Sequence, residues 1–172
     1  MALWRRRREG RCSCCGAVLH VADRHVRFSL PDPVLAPGLW HDADDWWMND
    51  ADAARSVHLL VPGLGAFVRA LLPVQLERSH KVTYGVWVGV SPEDLRRACE
   101  VWWEPSYNEL VLTGRLANAV PPNVRVGAPV HLVVRDPDHV PYCDTSADRS
   151  LEALLTLTWR AIDGEPVSPV EA

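Results

Sequence analysis

The segment from Val82 to Val90 constrains the fold more than any other part of the chain. Its apolar residues alternate with small or polar ones over nine positions, and a period of two residues predicts a β-strand. One face of this strand would consist of Val82, Tyr84, Val86, Val88 and Val90, and the other of Thr83, Gly85, Trp87 and Gly89. The Ser91-Pro92-Glu93-Asp94 sequence that follows predicts a helix over residues 92–103, with Ser91 as its N-cap.

Further strands are indicated on both sides of this unit. The apolar runs Val57–Val61 and Ala66–Leu76 flank a Pro-Gly-Leu-Gly turn and predict a hairpin. Pro73 predicts an edge position or a bulge late in its second strand. Leu110–Leu116 and Val130–Arg135 predict two more strands.

A last helix is predicted to begin near Ser150. It would present Leu151, Leu154, Leu155 and Trp159 or Ile162 inward. Strands in the middle of the chain, with helices between and after them, favour an α+β class. We therefore predict a mainly antiparallel sheet with two packed helices and a small N-terminal Cys-rich hairpin unit.

The composition is that of a globular protein of one main domain. Of 172 residues, 48% are apolar and 23% charged, which argues against a disordered or fibrous chain. The predicted organisation is a basic mobile arm at 1–11, a Cys-rich zinc-ribbon or knuckle-like unit at 12–30, an α+β domain at 39–163 and a frayed tail at 164–172. No apolar run approaches the ~18 residues of a membrane span, and no secretory signal is recognised. We therefore expect a cytoplasmic protein that is not embedded in a membrane.

The charge is unevenly distributed along the chain. Residues 1–30 carry seven arginines against two acidic residues, whereas residues 31–55 carry six aspartates and one arginine. These neighbouring segments are expected to neutralise each other in the fold. Because the net charge is −4, a solubilising arm is favoured over a nucleic-acid partner for Arg5–Arg8.

The N-terminal cysteines and histidines have the spacing of a metal site. Cys12-x2-Cys15-x4-His20-x4-His25 resembles a zinc knuckle in which His replaces the final Cys, and we predict a structural zinc bound by these four residues. His20 is the better histidine because a shorter loop joins it to the thiolates. Alternatives are a redox Cys pair or inert thiols. Cys14, or a second chain's Cys pair in a homodimer, could complete the tetrahedron.

Three function hypotheses follow, since no converging catalytic group is evident. The first is a non-enzymatic binding or regulatory module that holds a protein partner on its sheet and on surfaces formed by tryptophan side chains, of which the chain has eight. An exposed aromatic patch without a deep polar pocket would support it. A deep cleft lined by ionisable groups would instead favour a small hydrolase or transferase that uses His131, His139 or Asp144. The third hypothesis is nucleic-acid binding through the arginine-rich arm and the Cys unit.

Four short motifs resemble a bacterial family of uncharacterised proteins, domain of unknown function 2199. They are the Cys-x2-Cys-Gly opening at 12–16, Phe-Val-Arg-Ala at 67–70 leading to Pro73, Tyr-Gly-Val-Trp-Val at 84–88 with Ser91, and Gly-Arg-Leu-Ala-Asn at 114–118 before Pro121. Arg115 stands where the family usually has an aromatic residue. The sequence after Asp138-His139 also departs, with Val-Pro-Tyr-Cys in place of His-Pro-Leu. The resemblance implies a shared fold and an intracellular bacterial setting, with no substrate attached.

Overall fold

Strands form most of the secondary structure in the computed structural model, which describes residues 10–11, 18–19, 23–36, 45–162 and 165–170. In chain order the strands are β1 (Gly10–Arg11), β2 (Val18–Leu19), β3 (Asp23–Arg27), β4 (Trp47–Met48), β5 (His58–Val61), β6 (Gly65–Leu76), β7 (Lys81–Val90), β8 (Val111–Leu116), β9 (Pro129–Val133), β10 (Tyr142–Thr145), β11 (Thr158–Ile162) and β12 (Glu165–Pro169). The helices are α1 (Asp32–Leu35), α2 (Pro92–Val101) and α3 (Arg149–Thr156). None of these helices is long and apolar enough to cross a membrane.

Five strands close into a barrel in the order β6-β10-β9-β8-β7 and back to β6. The long ribbon of β6 and β7 makes this possible, since the two strands pair over ten positions from Ala66↔Val90 to Gln75↔Lys81. A two-stranded ribbon of this length twists strongly, and the shorter strands β8, β9 and β10 bridge its two outer edges. The inward side chains of β6, and those of β7 from Val82 to Val88, are buried and form the main core, with the partly buried Val90 packed against it.

The predicted α+β class, with a mainly antiparallel sheet and two packed helices, is wrong. The structure is mostly β, its central sheet closes on itself, and its described helices are short. Two segments account for the difference. Residues 142–145, for which no strand was predicted, form β10, and residues 158–162, which the predicted last helix includes, form β11; both strands pair with β6 in parallel. Trp159 is therefore buried from a strand, while Ile162 is 65% exposed.

Local predictions around the ribbon are confirmed. β5 and β6 form the predicted hairpin, and the alternating segment forms β7, with one face buried in the barrel. Ser91 caps α2, its hydroxyl accepting a hydrogen bond from the Asp94 N–H at 3.0 Å. Pro73 is neither at an edge nor in a bulge. It lies between Leu71, which pairs with β10, and Gln75, which pairs with β11. Proline has no N–H to donate, and here it occupies the position at which the neighbour of β6 changes from β10 to β11.

The N-terminal and C-terminal strands lie outside the barrel. β3 pairs with β7 in parallel, from Asp23↔Lys81 to Arg27↔Gly85. β1 pairs with β2, and residues 12–17, which carry the Cys-x2-Cys motif, lie outside the described part of the chain. β12 pairs with β11.

Candidate functional site

A cleft of about 410 Å³ lies on the outer face of the barrel, a volume typical of small-molecule sites. Its floor consists of side chains that point away from the barrel interior on neighbouring strands. They come from alternate positions of β3 (Asp23, His25, Arg27), β7 (Lys81, Thr83, Gly85) and β6 (Arg69, Leu71, Pro73) and from Tyr142 on β10. Because successive strand residues face opposite sides, the apolar interior and this polar outer face belong to the same strands.

Charged and apolar side chains share the lining of the cleft. Its four lysine and arginine residues are Arg27, Arg55, Arg69 and Lys81, against Asp23 and Asp138. The apolar part comes mainly from Leu71, Pro73, Val57, Val140 and Trp102. A concave surface with an excess of positive charge and apolar side chains beside it concentrates the electrostatic field in the cleft.

Arg69 is the most deeply buried charged residue of the lining, at 2% exposure. Its guanidinium lies over the Trp87 ring, 4.1 Å from the centroid. Five hydrogen bonds run from it to main-chain carbonyls: Nε to Ser56 (3.0 Å), Nη1 to Phe28 (2.7 Å) and Gly85 (3.4 Å), and Nη2 to Ser29 and Ala53 (3.3 Å each). Five acceptors match the five N–H groups of arginine, so Arg69 ties the segments around residues 28–29 and 53–56 to the barrel.

Arg27 reaches the same end of the cleft from β3. Its Nη2 donates to the Ser56 carbonyl at 3.4 Å, the oxygen that also accepts from Arg69. Gly85 lies beneath this side chain, where a Cβ would be in close contact with the Cγ of Arg27 at 3.4 Å. The side chain of Arg27 therefore lies across the bare backbone of β7 towards β6.

Two ion pairs border the cleft. Asp23 and Lys81 face each other across β3 and β7, with the Lys81 Nζ 3.6 Å from the Asp23 Oδ2. Arg55 donates to the Asp50 Oδ2 from both Nε (3.1 Å) and Nη2 (2.8 Å). Exposed pairs of this kind stabilise a fold by only ~0–1 kcal/mol, so their main effect is to position cationic groups at the rim.

Trp102 lines one side of the cleft and packs against two other aromatic rings. Trp102, just after α2, lies edge-on to His58 and to Tyr107, with ring centroids 5.1 Å apart in both pairs. The Tyr107 hydroxyl donates to the His139 carbonyl at 2.8 Å, which fixes the 138–140 loop beside the cleft. His58 is 4% exposed, and its burial lowers the pKa of the imidazole to about 4.

We expect the free energy of unfolding to fall by about 2 kcal/mol between pH 7 and pH 5 because of His58. The pKa of this histidine is lower in the folded state than in the unfolded state, so acid protonates the unfolded chain first and favours unfolding. This loss begins near the ordinary pKa of 6.5 and is complete near 4. Urea unfolding at both pH values should show a smaller loss in His58→Phe, which keeps a ring against Trp102. The exposed His131→Gln is the control, and equal pH dependence in wild type and His58→Phe would contradict the assignment.

The predicted zinc ligands are only partly within the described chain. His25 lies on β3 and lines the cleft, whereas Cys12, Cys15 and His20 fall outside the described residues. Within the described ranges, no group of three or more His, Cys, Asp or Glu side chains could hold a metal ion. Zinc binding by the four residues therefore stays a prediction.

The three residues considered for catalysis do not come together. His139 lines the cleft, with its Nδ1 3.0 Å from the Asp136 Oδ2. His131 is exposed on β9, and Asp144 pairs with Arg135 at 2.9 Å; neither residue lines the cleft. Cys143 is fully buried in the core, and burial raises the pKa of its thiol to about 12, which argues against a thiolate nucleophile.

Sequence reasoning missed most of the cleft. A signal was present at Arg69, a charged residue within the apolar Phe-Val-Arg-Ala-Leu-Leu run of a predicted strand, because such a residue must find partners when the strand is buried. Arg27 and Lys81 gave no such signal. These two residues line the same cleft only because β3 pairs with β7. The two strands are more than fifty residues apart in the chain.

Three of the motifs quoted for the family resemblance meet at one buried polar cluster. Arg69 stacks on the Trp87 ring, and the Asn118 Oδ1 accepts a hydrogen bond from the main-chain N–H of Trp87 at 2.8 Å. The Asn118 amide then donates to the Leu30 carbonyl and to Asp32. These contacts fasten residues 28–32 to the barrel, so the matching motifs build the wall behind the cleft.

The fold and the cleft together define a small barrel protein with a basic, ligand-sized site on its outer face. The chain belongs to a family of uncharacterised proteins conserved in bacteria, domain of unknown function 2199, which it matches over residues 11–153. No curated protein and no solved structure matches the chain.

Proposed function

We propose that this protein is a cytoplasmic, non-enzymatic binding module whose ligand is a small organic molecule held in the outer cleft. The observation that carries the proposal is the combination of ligand-sized volume, apolar side chains and cationic groups in one cavity. Arg69 and its carbonyl acceptors make the wall rigid before any ligand arrives, and a preformed site reduces the entropy cost of binding.

A protein partner or a second copy of the chain would use a different surface. Trp103 is 88% exposed and Trp47 is 46% exposed, and these indoles are the natural anchors for such contacts. The zinc site predicted at Cys12, Cys15, His20 and His25 belongs to the same proposal as a structural element of the N-terminal unit.

One observation favours a small hydrolase or transferase as the second candidate. His139 lines the cleft, and the Asp136 carboxylate lies 3.0 Å from its Nδ1 without making a hydrogen bond to it; histidine is the side chain most often used for proton transfer. Conversion of a bound compound into products, followed over time, would favour this candidate over simple binding.

Saturation-transfer NMR with a library of neutral, cationic and anionic fragments tests the binding proposal. We expect hits with wild type that disappear in Leu71→Trp, in which an indole fills the cleft floor. Val126→Trp adds the same ring at a loop residue outside the cleft that is 43% exposed, and it should keep the hits. Thermal melting establishes that both variants are folded. The absence of hits, or hits that survive in Leu71→Trp, would contradict a ligand site in the cleft.

A further inference from the structure

We propose that the ligand of the outer cleft is an uncharged molecule whose apolar body lies on Leu71 and Pro73 and whose polar group forms a hydrogen bond with the Thr83 hydroxyl. This inference rests on the proposed binding function and assigns it a chemical class. Amides, alcohols and ketones that carry a ring have this chemistry.

The first argument is the apolar surface on the outer face of β6. Residues on the outward face of such a strand commonly meet water and are polar, but β6 has Leu71 and Pro73 at outward positions. Both residues line the cleft and are only partly buried, as are Val57, Val140 and Trp102. These side chains form a concave apolar surface that a ligand can cover, and the Trp102 indole favours a ring on that ligand.

The second argument is the Thr83 side chain on the floor of the cleft. Thr83 is 7% exposed, and it lies between Pro73 and His25, its partners on the two adjoining strands. Its hydroxyl makes no hydrogen bond to any residue within the described part of the chain. Because buried hydroxyls are normally hydrogen-bonded, a ligand that covers the floor and excludes water has to supply the partner.

The third argument is that charged groups at the rim already have partners of opposite charge. The Arg55 guanidinium lies 2.8 Å from the Asp50 carboxylate. The Lys81 ammonium lies 3.6 Å from the Asp23 carboxylate. A charged ligand would have to compete with these carboxylates or with these cations, whereas an uncharged ligand leaves both ion pairs intact.

The two arginines deeper in the cleft are also engaged. Five main-chain carbonyls form a carbonyl cage around Arg69, and Arg27 donates to one of them, that of Ser56. With the acids that border the lining included, four cations are balanced by four carboxylates: Arg27, Arg55, Arg69 and Lys81, against Asp23, Asp50, Asp136 and Asp138. An ionic ligand would therefore lose its hydration without gaining an uncommitted countercharge, which favours an uncharged one.

Probes that share a phenyl body test the charge of the ligand. We would titrate the protein with benzamide, benzyl alcohol, benzoate and benzylammonium and follow binding by NMR. We expect the two neutral probes to bind about tenfold or more tightly than the two ions. Their affinities should change by less than about twofold as the salt concentration is raised, because no ion pair forms.

Variants of Thr83 test the hydrogen bond. Thr83→Val keeps the shape of the side chain and should weaken benzamide and benzyl alcohol about three- to tenfold, while toluene, which has no polar group, keeps its affinity. Thr83→Ser retains the hydroxyl and should bind benzamide as wild type does. Thr158→Val, at an exposed position of β11 outside the cleft, is the matched control. Thermal melting of each variant separates loss of binding from loss of folding.

The outcomes separate the two proposals. Benzoate or benzylammonium that binds as tightly as benzamide would overturn the uncharged class, and unchanged benzamide affinity in Thr83→Val would overturn the contact with Thr83. Both results leave the binding function in place. No binding by any probe, together with no hits in the fragment library, would overturn the binding function as well.

Discussion

Arg69→Met is expected to destabilise the protein by about 4 kcal/mol or to prevent folding. Methionine is shorter than arginine and carries no donor, so the Phe28 and Ala53 carbonyls lose the hydrogen bond from Arg69, whereas those of Ser56, Gly85 and Ser29 keep a second donor. A buried polar group that loses its partner costs about 1–3 kcal/mol. The cation–π contact with Trp87 is lost as well. Most domains have a total free energy of unfolding of about 5–15 kcal/mol, so this single substitution removes a large part of the stability.

Urea unfolding at pH 7 measures this effect, with near-UV circular dichroism reporting the environment of Trp87. Arg69→Lys should fall between wild type and Arg69→Met, since an ammonium keeps the charge but has only three donors. Arg96→Met, at an exposed position of α2, should change stability by less than about 0.5 kcal/mol. A loss of under about 1 kcal/mol in Arg69→Met would show that the carbonyl cage does not depend on the guanidinium.

We expect Gly114→Ala to lower the free energy of unfolding by about 3 kcal/mol or more, because the added methyl group would lie between the neighbouring barrel strands β7 and β8. A Cβ on Gly114 would overlap the Gly89 carbonyl oxygen and lie 2.6 Å from the Cγ1 of Val88. The first obstacle is backbone, so β7 and β8 would have to move apart. Since β8 joins β7 to the rest of the barrel, such a shift disturbs the pairing on both of its sides.

Gly89→Ala provides the matched control for this substitution. Gly89 lies on the opposite strand of the same seam and pairs with Arg115, but a Cβ there would meet nothing closer than 3.6 Å. We expect it to change stability by less than about 1 kcal/mol. Thermal or urea unfolding of the two variants measures the difference. Similar losses of stability in both would show that the close contact between Gly114 and β7 can be relieved by a local shift.

The cleft illustrates which functional features a single sequence can reveal. Arg69 could have been singled out, because an arginine within an apolar strand must be neutralised or fully hydrogen-bonded. Arg27, Arg55 and Lys81 could not, since surface arginines and lysines are common and become a site only when separate strands and loops bring them together. The Cys-x2-Cys spacing is recognisable as a metal-binding pattern, whereas the cleft is built from residues with no recognisable spacing.

Local sequence by itself determined the elements whose physics is local. The alternation in β7, the hairpin of β5 and β6 and the Ser91 cap of α2 each depend on neighbours within about ten residues, and all three are confirmed. The tertiary structure alone decided that the sheet closes into a barrel, because closure depends on β10 pairing with β6 across some seventy residues, and it also decided that β11 extends the sheet on β6 beyond the barrel. Such short strands carry too little periodicity to compete with helix or loop patterns, and their conformation is set by the edge of β6 that they complete.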